Sequence, residues 1–159
     1  MSGHDRAGGA RVDVLTEVVI ARPVDVVSAY AADPAHAPDW YRNIDSVELR
    51  TGPGLRPGAR AGFVAHFLGR RLEYEYEVVE LVPGERLVMR TAQGPFPMET
   101  TYTWEPVPGG TRMTLRNSGE PAGFARLGAR VLAAQIRRAN RQDLEALRRV
   151  LEDGLHRGS

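Results

Sequence analysis

From residue 122 to residue 152 the chain contains no proline, and only Gly123 and Gly128 interrupt a pattern that otherwise reads as helix. About thirty residues at 1.5 Å per residue make a rod of ~45 Å, longer than the ~40 Å diameter expected of a compact domain of this size. Such a helix has to cross the whole body it belongs to. What precedes it is written in strands, so the economical arrangement is a curved sheet wrapped around the rod.

The clearest strand is "LEYEYEVVEL", residues 72–81, whose alternation puts Glu73, Glu75 and Glu77 on one side and Tyr74, Tyr76 and Val78 on the other. Around it the chain reads as a strand at 12–20, a helix opened by Pro23 and stopped at Asp33-Pro34, and one further helical turn in "PAHAPDWYRNI". A second strand follows from residue 44, then the loop "GPGLRPG" and the strand "ARAGFVAHFL". Gly69, "VPGE" and "QGPFP" turn the chain between further strands, and Pro108-Gly109-Gly110 joins "METTYTWEPV" to "TRMTLRN". This predicts seven strands, six of them consecutive, in an antiparallel α+β domain with two short helices after the first strand. The domain spans 12–152, with a disordered polar leader at 1–11 and a flexible tail at 153–159.

Cysteine is absent, which excludes disulfides and thiolate metal sites. The four histidines, His4, His36, His66 and His156, have no ligand spacing, so no metal and no cofactor is expected. All 21 basic residues are arginine, and with 20 acidic ones the net charge is +1, which gives no reason to bind nucleic acid. The arginines of the last helix alternate with Asp143, Glu145, Glu152 and Asp153 as on a solvated face. No apolar run approaches the ~18 residues needed to span a bilayer and the N-terminus has no apolar signal core, so a cytoplasmic protein without stable membrane insertion is expected. The sequence does not set its oligomeric state.

The order strand, two short helices, six-strand meander and long terminal helix is that of the helix-grip fold. Together with "ARPVDVV", "DWYRNI", "EVVELVPGERL" and "TYTWEPVPGGTRMTL", it resembles the START/Bet v1-like (SRPBCC) superfamily, in its bacterial polyketide cyclase/dehydrase-like branch. The resemblance covers nearly all of 12–152, and its motifs mark the fold rather than a reaction. It implies a cavity between sheet and helix that takes a lipid, a polyketide or a quinone-like molecule, with cyclisation or aromatisation of polyketides in a minority of members.

Tyrosine on the dry side of a strand needs a partner, because burying an unpaired hydroxyl costs about 1–3 kcal/mol. Either each phenol reaches a polar group at the rim of a packed core, or the inner face lines a hollow. Carrying the parity of Tyr74 and Tyr76 across the sheet turns Phe63, Ala65 and Phe67 inward and His66 outward. It also selects Met89, then Met98, Thr100, Tyr102 and Trp104, then Met113. Apolar walls with dispersed hydroxyls have the makeup of a small-molecule pocket. With the fold implied by the resemblance, these residues and Phe124, Leu127, Val131 and Gln135 on the helix are the candidate ligand contacts. Asn140 and Asp143 sit within the apolar stripe of Ile136 and Leu147 and are read in two ways, as ligand contacts reaching into the cavity or, the favoured reading, as anchors of the helix. Trp40 is read as a plug at the domain's corner, and the segment around it, with Phe96 and Phe124, alternatively as a lid.

No residue is assigned a catalytic role. Chemistry, if present, would polarise carbonyls through phenols and use a base such as Asp143, or His66 were the strand parity reversed. Three functions follow: binding of a hydrophobic or aromatic small molecule, cyclisation of a bound poly-carbonyl chain, or a co-chaperone-like interaction module with a filled core.

Overall fold

In the computed structural model, which describes residues 11–52, 54–93, 97–120 and 128–157, seven strands form one antiparallel sheet. They are β1 (Val12–Ile20), β2 (Ile44–Leu49), β3 (Arg60–Phe67), β4 (Arg70–Val82), β5 (Arg86–Gln93), β6 (Met98–Val107) and β7 (Gly110–Gly119). Their order across the sheet is β1-β7-β6-β5-β4-β3-β2, so the meander runs unbroken and β1 returns to pair with β7, Val12 opposite Gly119 and Ile20 opposite Thr111. This is the helix-grip arrangement.

Between β1 and β2 lie α1 (Val24–Ala32), a 3-10 turn (Pro34–His36) and α2 (Ala37–Trp40). Pro23, at φ −62°, leads into α1 without needing the N–H it lacks. Asp33 ends the helix and its carboxylate accepts from the N–H of Ala35 at 2.9 Å, starting the next turn. Trp40 is 1% exposed and fills the corner.

The final helix, α3 (Ala129–Arg157), has 29 residues and is ~44 Å long. It starts later than the sequence pattern predicts. Gly128 adopts φ +79°, a left-handed conformation that a right-handed helix cannot pass through, and its carbonyl accepts the first helical bond, from Leu132 N–H at 3.1 Å. The helix also runs past Glu152 to Arg157. The leader through residue 10, and the readings placed on Phe96, Gly123, Phe124 and Leu127, lie outside the described residues.

The far end of α3 is clamped to the link between β1 and α1. Arg22 donates to the carbonyl of Leu151 at 2.7 Å, and Glu152 accepts from the N–H of Ala21 at 2.9 Å. Gly110 allows β7 to begin against this link, since a Cβ there would sit 2.0 Å from the carbonyl oxygen of Ile20.

Among the described residues, the space between sheet and helix is packed solid at this end. Ile20, Val27, Leu87, Met113, Leu115, Leu144 and Leu147 are at most 1% exposed and pack with Trp40 and Trp104 into the main core. Burying each large apolar side chain contributes about 1.5–3 kcal/mol. Toward the start of α3 lies a smaller cluster of Val12, Leu72, Met98 and Leu132, the last three of which border a hollow.

Candidate functional site

The hollow has a volume of about 160 Å³. Alternation along the strands builds its sheet side. Phe63, Ala65 and Phe67 of β3, Leu72, Tyr74 and Tyr76 of β4, and Met89 of β5 share the inner face with Met98, Thr100 and Tyr102 of β6 and Asn117 of β7. The rings pack in order: Phe63 stacks on Tyr74 at 5.5 Å between centroids, and Tyr74 meets Tyr76 edge-on at 5.4 Å. Leu132, Ile136, Ala139, Asn140 and Asp143 close the hollow from α3, and Tyr41, Asn43 and Ile44 close it from the segment after α2.

The phenols find partners within these walls. Tyr76 and Thr100 share a hydrogen bond of 2.7 Å between their hydroxyls. Thr100 also accepts from the amide of Asn117 at 2.8 Å, and Asn117 accepts from the amide of Asn140 at 2.6 Å. Four side chains thus link the sheet to the helix. Tyr102 pairs with Tyr41, hydroxyl to hydroxyl, at 2.5 Å.

Asp143 is 3% exposed, and burial pushes its carboxyl up to about 6, against the lowering effect of the Arg42 backbone N–H, which donates to it at 3.1 Å. Burial also raises Tyr41, Tyr74, Tyr76 and Tyr102, and the charge of Asp143 adds to the rise at Tyr41, Tyr74 and Tyr102. At neutral pH the site therefore holds protonated phenols, which donate, beside one carboxylate able to accept a proton.

The eight strand residues from Phe63 to Tyr102 in the predicted set border the hollow. Four others do not. Trp104 stands two residues beyond Tyr102 on β6, about 6.8 Å further along the strand, and belongs to the main core. Met113 is 0% exposed in that same core. Val131 is 50% exposed and Gln135 is also exposed, because each lies about 100° around the helix from Leu132 and Ile136, the residues that turn inward. Phe124 and Leu127 lie outside the described residues.

Asn140 and Asp143 anchor the helix and also border the hollow, so the two readings of them merge. His66 faces outward, its Nδ1 2.5 Å from Asp45, which removes it as a base for the interior. Among the residues not predicted, Leu72 and Asn117 follow from the strand parity, and Leu132, Ile136 and Ala139 from the helical stripe. Tyr41 carries no periodic signal, since it comes from the turn after α2.

A family model described as polyketide cyclase / dehydrase and lipid transport matches residues 11–152. No curated protein sequence matches the chain. Among solved structures, the chain resembles a protein from Thermus thermophilus, with a TM-score of 0.75 and 23% identity, covering 89% of this chain and 98% of that one. The Zhui aromatase/cyclase from Streptomyces sp. R1128 superposes with a TM-score of 0.72 at 19% identity, covering 88% and 93%. The major latex-like protein 151 of Panax ginseng does so with 0.65 at 15%, covering 87% and 97%. At these identities the likeness is one of fold. Among the described residues no helix is long and apolar enough to cross a membrane.

Proposed function

This chain belongs to the polyketide cyclase / dehydrase and lipid transport family, and from that premise we propose that it binds a small aromatic or hydrophobic molecule in the hollow beneath the first half of α3. The observation that carries this reading is the hollow itself, bounded by Tyr41, Tyr74, Tyr76 and Tyr102 while the other end of the same interlayer is solid. Its size narrows the guest. An apolar cavity of ~150 Å³ accepts benzene, whereas drug-sized ligands occupy about 300–1,000 Å³. A volume of about 160 Å³ suits one ring, such as a phenol, quinone or aryl ketone. A sterol, fatty acid or long polyketide exceeds this volume. An interaction module with a filled core has no support in this half of the molecule.

A thermal-shift panel tests the reading. A one-ring ligand at 100 times its dissociation constant stabilises the protein by about 2.7 kcal/mol. Monocyclic phenols, quinones and aryl ketones should raise the melting temperature more than fatty acids or sterols. No shift with any ring compound would remove it.

One observation favours a second reading, cyclisation of a poly-carbonyl substrate: the carboxylate of Asp143, poised near pH 6, stands among protonated phenols. A phenol would hold the carbonyl oxygen while Asp143 takes a proton from the adjacent carbon; the enolate carbon then bonds to a second carbonyl carbon, whose C=O opens to an alkoxide that takes the proton back from Asp143. The fold likeness to an aromatase/cyclase supports it. Turnover of a model poly-ketone that survives in Asp143→Asn would exclude it.

A further inference from the structure

The hydrogen-bonding groups on the hollow define what a guest has to bring. Asp143 uses one carboxylate oxygen to accept from the Arg42 N–H at 3.1 Å, and its other oxygen accepts no hydrogen bond among the described residues. A carboxylate has about four lone-pair sites, so most of its capacity is unused. The second oxygen is not sealed within protein, because the buried side-chain nitrogens and oxygens that lack a partner belong to Arg22, Trp40 and Trp104. Asp143 is only 3% exposed and lines the hollow, so the surface that this oxygen keeps lies on the hollow. Its charge bears on Tyr41, Tyr74 and Tyr102, three of the phenols around the same space. Among the described residues of the walls, Asp143 alone is charged, and no cation balances it there.

The complementary need stands in the same hollow. Tyr41 and Tyr102 have two phenolic hydrogens and share one hydrogen bond, which leaves one hydrogen to donate into the space that both residues line.

We propose that the guest is a hydroxyaryl ketone, a single ring whose hydroxyl donates to the second oxygen of Asp143 while its carbonyl accepts from the Tyr41–Tyr102 pair. The proposal rests on the reading of the hollow as a ring-sized ligand site, and it makes Asp143 the residue that selects among rings. A quinone has acceptors alone and leaves the buried carboxylate unmet. An aryl carboxylate sets a second negative charge against it.

The test is isothermal titration calorimetry at pH 7, where the Asp143 carboxyl, pushed up to about 6, is mostly ionised. The probes are acetophenone, its 2′-, 3′- and 4′-hydroxy derivatives, the methyl derivatives that match them in size, and the corresponding hydroxybenzoates. The 3′- or the 4′-hydroxy ketone should bind about ten- to a hundredfold more tightly than its methyl counterpart, the ratio expected of one hydrogen bond to a charged group. The 2′-hydroxyl is already bonded to its own carbonyl and should bring less than about threefold. The hydroxybenzoate should bind at least about tenfold more weakly than the matching ketone. Asp143→Asn keeps an acceptor for Arg42 and turns an amide N–H toward the hollow. It should cut the advantage of the hydroxyl at least about fivefold and leave acetophenone within about threefold of its original affinity. Equal binding of hydroxy and methyl ketones, an equal gain from the 2′-hydroxyl, a hydroxybenzoate that binds as tightly as the ketone, or an advantage that survives in Asp143→Asn would overturn the assignment while leaving the hollow a site for simple rings. Failure of every ring compound to bind, acetophenone included, would remove that site and this proposal with it.

Discussion

The carboxylate of Asp143 on α3 accepts a hydrogen bond from the backbone N–H of Arg42, 3.1 Å away in the segment that follows α2. One residue earlier, Tyr41 reaches into the hollow and pairs with Tyr102. A single buried carboxylate therefore holds the helix, the turn and one wall of the cavity in register, at the expense of its own solvation.

That expense is pH-dependent. Asp143 has its folded-state value raised from 3.8 to about 6, so the native state holds the proton more tightly than the unfolded chain. Stability contributed by the protonated form is then present below about pH 4 and declines as the pH rises to about 6, by at most about 3 kcal/mol. Asp143→Asn keeps an acceptor for Arg42 and removes the charge. Urea denaturation should find the variant about 1–3 kcal/mol more stable at pH 7.5 and within about 0.5 kcal/mol at pH 4. Equal destabilisation at both pH values would contradict the burial assigned to this group.

The relay from Tyr76 through Thr100 and Asn117 to Asn140 joins the sheet to the helix, and Asn117 is its middle link. Asn117→Ala leaves the buried Asn140 amide without its acceptor and costs about 1–3 kcal/mol. Asn140→Ala should cost a similar amount, and the double variant should lose less than the sum because both remove the same bond. Strict additivity in urea unfolding would show that the two amides do not depend on each other.

Leu68, at the tip of the β3–β4 hairpin, has φ +51° and is 42% exposed. A branched apolar residue pays about 1–2 kcal/mol for that conformation, and asparagine tolerates it better. Leu68→Asn should therefore stabilise the protein by about 0.5–1 kcal/mol in chemical denaturation. Loss of stability would mean that Leu68 makes contacts worth more than the strain.

Much of this architecture was legible because its signals are local. Alternation in Leu72 to Leu81 and the turn at Pro108-Gly109 define strands and their inner faces without reference to the rest of the chain, and every inner face assigned that way is inner. Alternation says which side a residue faces and not how far along the sheet it stands. Trp104 and Met113 face inward as read, yet they sit where Trp40 and Leu144 already fill the space. The helix shows a different limit. Its inward stripe runs through Leu132 and Ile136, and a rotation of one residue separates these from Val131 and Gln135. That rotation is set by the left-handed Gly128 and by the clamp at Leu151 and Glu152, both products of tertiary contact. Tyr41 was beyond reach for a related reason, since only the docking of its turn against Asp143 aims it inward.

The central claim is that the first half of the interlayer is open space for one ring, and a crystal structure of the protein grown with acetophenone tests it most directly. The account predicts the phenyl ring lying between Tyr74 and Ile136, with its carbonyl oxygen within hydrogen-bond reach of the Tyr41 or Tyr102 hydroxyl. It also predicts that Ile136→Trp, which fills the volume with indole, excludes the ligand. Protein side chains occupying that space, with acetophenone absent or bound elsewhere, would contradict it.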